Sequence, residues 1–183
     1  MTEPLILVAE DNREVRQYLE ERVLVPAGYR VRSVGDGMSA LTLALELRPA
    51  VVISDQQMPN LTGTELTRRL RAEYPVPVIL ITGESSEGLM LEAIRAGVCD
   101  YLTKPFEAEQ LLAAVGRALA ESQRMAQLMS TKADLEDGAR SLKRRLDELE
   151  TLAGIGRTVT AMLEVDEVLT SVVDAAVRLT GAE

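Results

Sequence analysis

Leu5-Ile6-Leu7-Val8-Ala9-Glu10-Asp11 carries five aliphatic residues straight into two carboxylates. An apolar run of that length, without polar alternation, reads as a strand buried on both faces of a parallel sheet. Working outward, the same texture returns at Tyr29 to Val34, Val51 to Ser54, Val78 to Thr82 and, briefly, Asp100 to Leu102. Amphipathic stretches separate these runs near Arg13 to Val25, Met38 to Leu47, Thr62 to Tyr74 and Glu87 to Ala96. Turn residues punctuate the alternation at Pro26-Ala-Gly28, Gly35-Asp-Gly37, Pro59 to Gly63, Pro75-Val-Pro77 and Gly97. The pattern predicts an α/β fold in which helices cover both faces of a five-stranded parallel sheet.

Composition narrows the chemistry. The chain has 183 residues and a net charge of −9, a balance that argues against a surface built to neutralise nucleic-acid phosphates. Histidine is absent and Cys99 is the only cysteine, which removes disulfides, imidazole or thiolate metal sites and any histidine base. Cys99, just before the last strand, is read as a small buried hydrophobe. With only 3% aromatic residues, a base-stacking platform is also unsupported. No apolar run approaches the roughly 18–20 residues that span a bilayer, and Met1-Thr2-Glu3-Pro4 has no basic leader, so the expectation is a cytoplasmic protein without membrane or nucleic-acid contact in this segment.

Beyond Lys104-Pro105 no turn signal interrupts the helical periodicity from Ala108 to about Met162. Leu128, Leu135, Leu142 and Leu149 recur every seven residues, and Met125, Lys132, Ala139, Leu146 and Ala153 hold the alternate seam position. A helix that only covers a sheet needs three or four turns; this one would run roughly 80 Å at about 1.5 Å per residue. The spacing therefore predicts a parallel two-stranded coiled coil, with Arg145 and Glu150 facing each other across the dimer, Lys132 specifying register and Gly138 weakening the helix. From Leu149 through Leu152, Ile155, Val159 and Met162 the seam steps change, which ends or overwinds the supercoil. A second amphipathic helix is expected after Leu163, entered at Asp166 as N-cap and stopped by Gly181. Its uncovered apolar face suggests that a longer protein has been cut at a domain's threshold.

In an open parallel sheet, reactive groups gather at the carboxyl ends of the strands. Glu10 and Asp11 follow the first strand, Asp55 the third and Lys104 the fifth, while Thr82 closes the fourth. Clustered carboxylates repel unless a cation sits among them, and hard oxygen donors without His or Cys select Mg²⁺ or Mn²⁺. A carboxylate beside such a cation, a hydroxyl and an ammonium suits attack on phosphorus. Asp55, alone at the central strand, is the expected nucleophile; Glu10 and Asp11 hold the metal; Thr82 and Lys104 hold the transferred oxygens. The duller readings are a helix cap for Asp11 or Thr62, an ordinary strand end for Thr82 and a surface lysine for Lys104.

These residues also carry a resemblance. The segment from about Pro4 to Gly116 resembles the receiver domain of two-component response regulators in its Glu10-Asp11 pair, Asp55-Gln-Gln-Met58-Pro59 with Gly63 following, Thr82-Gly83 and Lys104-Pro105-Phe106. The resemblance implies a doubly wound sheet of flavodoxin-like order and phosphorylation of Asp55 by a sensor histidine kinase or phosphotransfer protein. It implies Mg²⁺ on Glu10, Asp11, Asp55 and the main-chain carbonyl of Gln57, and a cis peptide before Pro105. It also implies a switch in which Thr82 moves toward the phosphoryl group and Tyr101 follows, while Gln57 and Glu84 tune the lifetime of the acyl phosphate. Residues from Leu149 to Glu183 are similar to the opening helices of GAF sensory domains, without the sheet that forms a ligand pocket.

The resulting expectation is a receiver domain over 1–120, a coiled-coil signalling helix over 121–162 and the start of a truncated GAF-like domain over 163–183. It is a phosphoacceptor, not a multiple-turnover enzyme, and a homodimer through the helix. Two alternatives remain. A phosphorylation-independent dimerisation scaffold would show association indifferent to a phosphoryl mimic. A phosphohydrolase with an aspartyl nucleophile usually carries that residue after the first strand with another Asp two residues on, and here the strand ends in Glu10-Asp11-Asn12.

Overall fold

A computed structural model of the chain describes residues 3–83 and 87–180, the side chains of 133, 154–167, 179 and 180 apart. The aliphatic runs form β1 (Leu5–Ala9), β2 (Arg30–Val34), β3 (Val51–Asp55), β4 (Val78–Thr82) and β5 (Asp100–Thr103). All pair in parallel in the order β2-β1-β3-β4-β5, with Ile6 opposite Val51 and Ile53 opposite Ile79. Strand order reverses between β1 and β3, the crevice where open α/β sheets place ligands.

Side-chain alternation sorts the core into two layers. Ile6, Val8, Ile53, Ile79 and Ile81 join Leu19, Val23 and Leu24 of the first helix and Leu111, Ala114 and Val115 of the last. Leu7, Ala9 and Val52 turn to the opposite face, against Ala40, Leu41, Leu66 and Leu70. Helices α2 (Gly37–Leu47) and α3 (Gly63–Glu73) supply that second layer, and α4 (Glu87–Ala96) borders α3 through the Arg68–Glu92 ion pair.

Three local expectations change. The helix expected from Arg13 to Val25 is α-helical only over α1 (Arg13–Gln17) and widens into π-type turns over Tyr18–Leu24, where Val25 N–H donates to the Glu20 carbonyl. The wider winding, closed by bonds between residues five apart, sets Leu19, Val23 and Leu24 in the core against the sheet. The last helix, α5 (Ala108–Thr180), runs 73 residues without the break expected before Asp166. Leu163 to Thr170 contains neither Pro nor Gly, so no residue there forces the backbone out of the helix. The stop at Gly181 lies outside the described residues. Cys99 is exposed, not buried. Its N–H donates to the Val78 carbonyl at the entry to β5, and its thiol borders a surface cavity of about 500 Å³ with Arg71, Pro77 and Met125. Partial burial, with Asp100 and Glu121 nearby, pushes that thiol's pKa up, so it is not an activated thiolate.

The chain divides into two compact units, Met1–Leu128 and Met129–Glu183. Within the second, the described side chains are exposed, Leu135, Leu142, Leu146 and Leu149 among them. Among the described residues no helix is long and apolar enough to cross a membrane.

Candidate functional site at the carboxyl rim of the sheet

Four of the five strands hand polar residues to the rim: β1 brings Glu10 and Asp11, β3 Asp55, β4 Thr82 and β5 Lys104. β1 ends at Ala9, and Glu10 N–H extends the sheet by one bond to the Val34 carbonyl, which carries the Glu10 side chain into the interior at 1% exposure. Asp11, next in the chain, stays exposed. The cap of α1 is Asn12, whose side chain accepts from the N–H groups of Glu14 and Val15. Asp11 is therefore not spent on capping. Thr62 does cap α3, in a reciprocal capping box with Glu65.

Asp55 closes β3 and is buried, its Oδ1 accepting the Gln56 N–H at 2.9 Å. The loop after it is held tight by Gly63. A β-carbon there would fall 2.4 Å from Leu80 Cδ1 and 2.5 Å from the Asp55 carbonyl, so only glycine lets α3 start this close to the strand. From the far side of the sheet, Lys104 N–H donates to the Thr82 carbonyl at 2.7 Å, joining the ends of β5 and β4. The Lys104–Pro105 peptide is cis.

The Lys104 ammonium then reaches back across the rim, 2.8 Å from Glu10 Oε2 and 3.3 Å from Asp55 Oδ2. Glu10, Asp11 and Asp55 each bring a carboxylate oxygen within 4.8 Å of the others. Burial pushes the Glu10 carboxyl up, with the Asp55 charge adding to it and Lys104 opposing. Asp55 is raised for the same first reason, again against the pull of Lys104. Burial draws the Lys104 ammonium down, but its contacts with Glu10 and Asp55 outweigh this and the net direction is up. One ammonium offsets three carboxylates incompletely, and the remaining negative field is one that a hard divalent cation relieves. The donor set, all oxygen, fits Mg²⁺ or Mn²⁺.

The remaining candidates take different places. Thr82 is buried at the end of β4, in register with Thr103. Tyr101 is half-buried on β5, in the lining of a cavity of about 710 Å³ that also includes Met90 of α4, Phe106 and Arg117 of α5. Gln57 is exposed beside the acidic cluster's central strand. Glu84 lies outside the described residues.

Two features were not expected from sequence. Gln56 and Thr64, both buried, bond twice: Gln56 Nε2 donates to Thr64 Oγ1, and Thr64 N–H donates to Gln56 Oε1. The pair fastens the start of α3 to the residue after Asp55. Arg16, on α1, donates to the main-chain carbonyls behind the acidic residues. Neither pattern has a sequence signal, because each joins a polar residue in a loop or helix turn to backbone brought near only by folding.

A five-stranded parallel α/β sheet with acidic residues and a lysine meeting at its switch point defines the class. The particular family follows from comparison: the response regulator receiver domain family matches residues 6–116, and the chain belongs to it. Response regulator MprA of Mycobacterium bovis is 38% identical over 155 residues, covering 84% of this chain and 62% of that protein. Chemotaxis protein CheY4 of Vibrio cholerae superposes with a TM-score of 0.60 at 35% identity, over 64% of this chain and 100% of that one. The receiver domain of sensor histidine kinase PA1611 from Pseudomonas aeruginosa, 34% identical with a TM-score of 0.59 over 65% of this chain and 99% of its own, holds a magnesium ion in its active site cleft. The chain spans less than two thirds of the length of the curated relatives it matches.

Proposed function

We propose that this chain accepts a phosphoryl group on Asp55 from a sensor histidine kinase or phosphotransfer protein and relays the change along α5. The observation that carries the reading is the Lys104 ammonium lying 2.8 Å from Glu10 and 3.3 Å from Asp55, beside three carboxylates with oxygens within 4.8 Å of one another. Asp55 Oδ attacks phosphorus as the P–N bond of a phosphohistidine donor breaks and the imidazole leaves with its electron pair. Glu10, Asp11, Asp55 and the Gln57 main-chain carbonyl are the ligands for Mg²⁺, with Mn²⁺ as a substitute. The bound cation supplies charge neutralisation for the transferring group. Lys104 and the Thr82 hydroxyl hold the phosphoryl oxygens once transfer is complete.

With Thr82 drawn toward those oxygens, Tyr101 is the residue that follows, and Gln57 and Glu84 flank the path of hydrolytic water. Tyr101 sits in a cavity bounded by α4, β5 and α5, so its rotamer changes the surface next to the first turns of the long helix. The apolar stripe Leu128, Leu135, Leu142 and Leu149 supports a homodimer through a parallel coiled coil over 121–162, leading into a GAF-like segment over 163–183. Phosphorylation then acts by biasing one bistable element.

Incubation of the full chain with a small acyl phosphate and Mg²⁺, read by intact-mass spectrometry, tests the chemistry. The wild type is expected to gain one phosphoryl mass that EDTA prevents and Asp55→Asn abolishes. An equal gain in Asp55→Asn, or none in the wild type, overturns the assignment.

A further inference from the structure

Arg16 stands one helical turn past the acidic pair and spends its guanidinium on main chain. Nη1 donates to the Glu10 carbonyl at 2.6 Å and to the Asp11 carbonyl at 3.3 Å. The side chain is half-buried, and a β-carbon on Gly35 would fall 3.2 Å from the same Nη1. The space beyond the end of β2 is thus kept for the guanidinium by the absence of a side chain at 35. Around this contact the loop is tied at successive atoms. Glu10 N–H holds the Val34 carbonyl, and Asn12 N–H donates to Glu10 Oε1 at 3.3 Å. The Asn12 side chain caps α1, the helix from which Arg16 reaches back.

A carbonyl bonded to a charged donor is fixed more firmly than one bonded to water, and rotation of the two peptides is what would swing the Glu10 and Asp11 carboxylates apart. Partners behind the ligands of a metal set ligand direction, and their loss typically weakens metal binding about 10- to 100-fold. We propose that Arg16 is a positioning residue for the divalent cation, aiming the Glu10 and Asp11 carboxylates by clamping the carbonyls of the loop that carries them. This rests on the phosphoacceptor reading above, in which those carboxylates hold Mg²⁺ or Mn²⁺.

The test measures the Mn²⁺ dissociation constant of the full chain from the electron-spin signal of free Mn²⁺, alongside the thermal midpoint of the metal-free protein. Arg16→Ala is expected to raise the dissociation constant about 10- to 100-fold with little movement of the metal-free midpoint. Arg16→Lys recovers part of the loss, since an ammonium donates to carbonyls without the planar fork. Gly35→Ala, which crowds Nη1, gives a smaller rise in the same direction. A dissociation constant unchanged in Arg16→Ala while the wild type binds Mn²⁺ overturns the role of Arg16 alone. A wild type that binds no Mn²⁺ overturns the phosphoacceptor reading and this inference with it. Should Arg16→Ala not fold, Gly35→Ala decides, and an unchanged constant there overturns the proposal.

Discussion

Leu66 and Leu135 are the same side chain in two settings. Leu66 on α3 is 0% exposed, packed with Leu7, Val52 and Leu70; Leu135 on α5 is 69% exposed. The difference recurs across the two compact units. Within Met1–Leu128 the aliphatic residues of every strand find partners in the same chain, whereas in Met129–Glu183 Leu135, Leu142 and Leu149 stand seven residues apart on an open helix face. Periodicity alone announces both, but it means different things. In the sheet domain it reports burial already complete; in the long helix it reports an apolar seam whose proposed occupant is a second copy of the same helix.

The sharpest way to break that comparison is to delete the same atoms in each unit. Leu66→Ala is expected to cost about 2–5 kcal/mol, because a fully enclosed side chain leaves a cavity that rigid neighbours refill only in part. Its thermal transition should fall at every protein concentration. Leu135→Ala should leave the sheet domain's transition in place and weaken self-association instead, as read by sedimentation across a dilution series. Equal lowering of one shared, concentration-independent transition by both variants would show that the units are not energetically separate.

The contrast also explains what could be read in advance. Five strands, their helices and the meeting of Glu10, Asp11, Asp55 and Lys104 at one rim were legible, since strand ends in a parallel sheet share an edge whatever their loops do. The Gln56–Thr64 bonds and the Arg16 clamp were not, because each depends on loop approaches of a few ångströms that no periodicity encodes. Cys99 departs from its expected burial for a related reason: a residue beside a buried strand need not point inward, and its N–H pairs with the Val78 carbonyl while the residue stays exposed. Residue type alone points to a cap at Asp166, yet capping needs the preceding chain to leave the helix, and Leu163 to Thr170 has no residue that makes it do so.

A smaller effect separates two kinds of carboxylate inside the sheet domain. Asp36 caps α2, and hydrogen bonds from the Ser39 hydroxyl and N–H hold its carboxyl below the usual range. Glu65 is likewise lowered by its bonds with Thr62. For such groups the folded state binds fewer protons than the unfolded one, so their contribution is full above the ordinary carboxylate pKa and is lost as pH falls through the lowered value. Glu10 and Asp55, raised by burial, run the other way: the folded state holds extra protons, and the metal-free protein loses stability as pH rises from the ordinary carboxylate value through the raised ones. Asp36→Ala is expected to cost about 1 kcal/mol at neutral pH and progressively less in acid. In contrast, Asp55→Asn should flatten the fall in metal-free stability across that window. Urea titrations in EDTA at several pH values measure both, and parallel slopes for the two variants would contradict the assignment.

The finest effect concerns the direction of the proposed stalk pairing. With Leu135, Leu142 and Leu149 at one seam position and Leu146 at the other, Arg145 and Glu150 flank the seam on opposite sides. In a parallel, in-register dimer the Arg145 of one copy meets the Glu150 of the other. In an antiparallel dimer, residues on the same flank face each other and this pair is lost. Both residues are exposed in the chain, so the pair is worth no more than about 0.2–1 kcal/mol and salt screens it. A symmetric dimer holds the pair twice and Arg145→Glu turns each attraction into a repulsion, so dimerisation should weaken by roughly fourfold or more, with about 1.4 kcal/mol for each decade. Adding Glu150→Arg to the same chain should restore it, because the double variant recreates the opposite-charge pair with the signs exchanged. The penalty should shrink at high salt. A double variant no better than Arg145→Glu alone would rule out the parallel register while leaving the leucine seam, and the contrast between Leu135 and Leu66, intact.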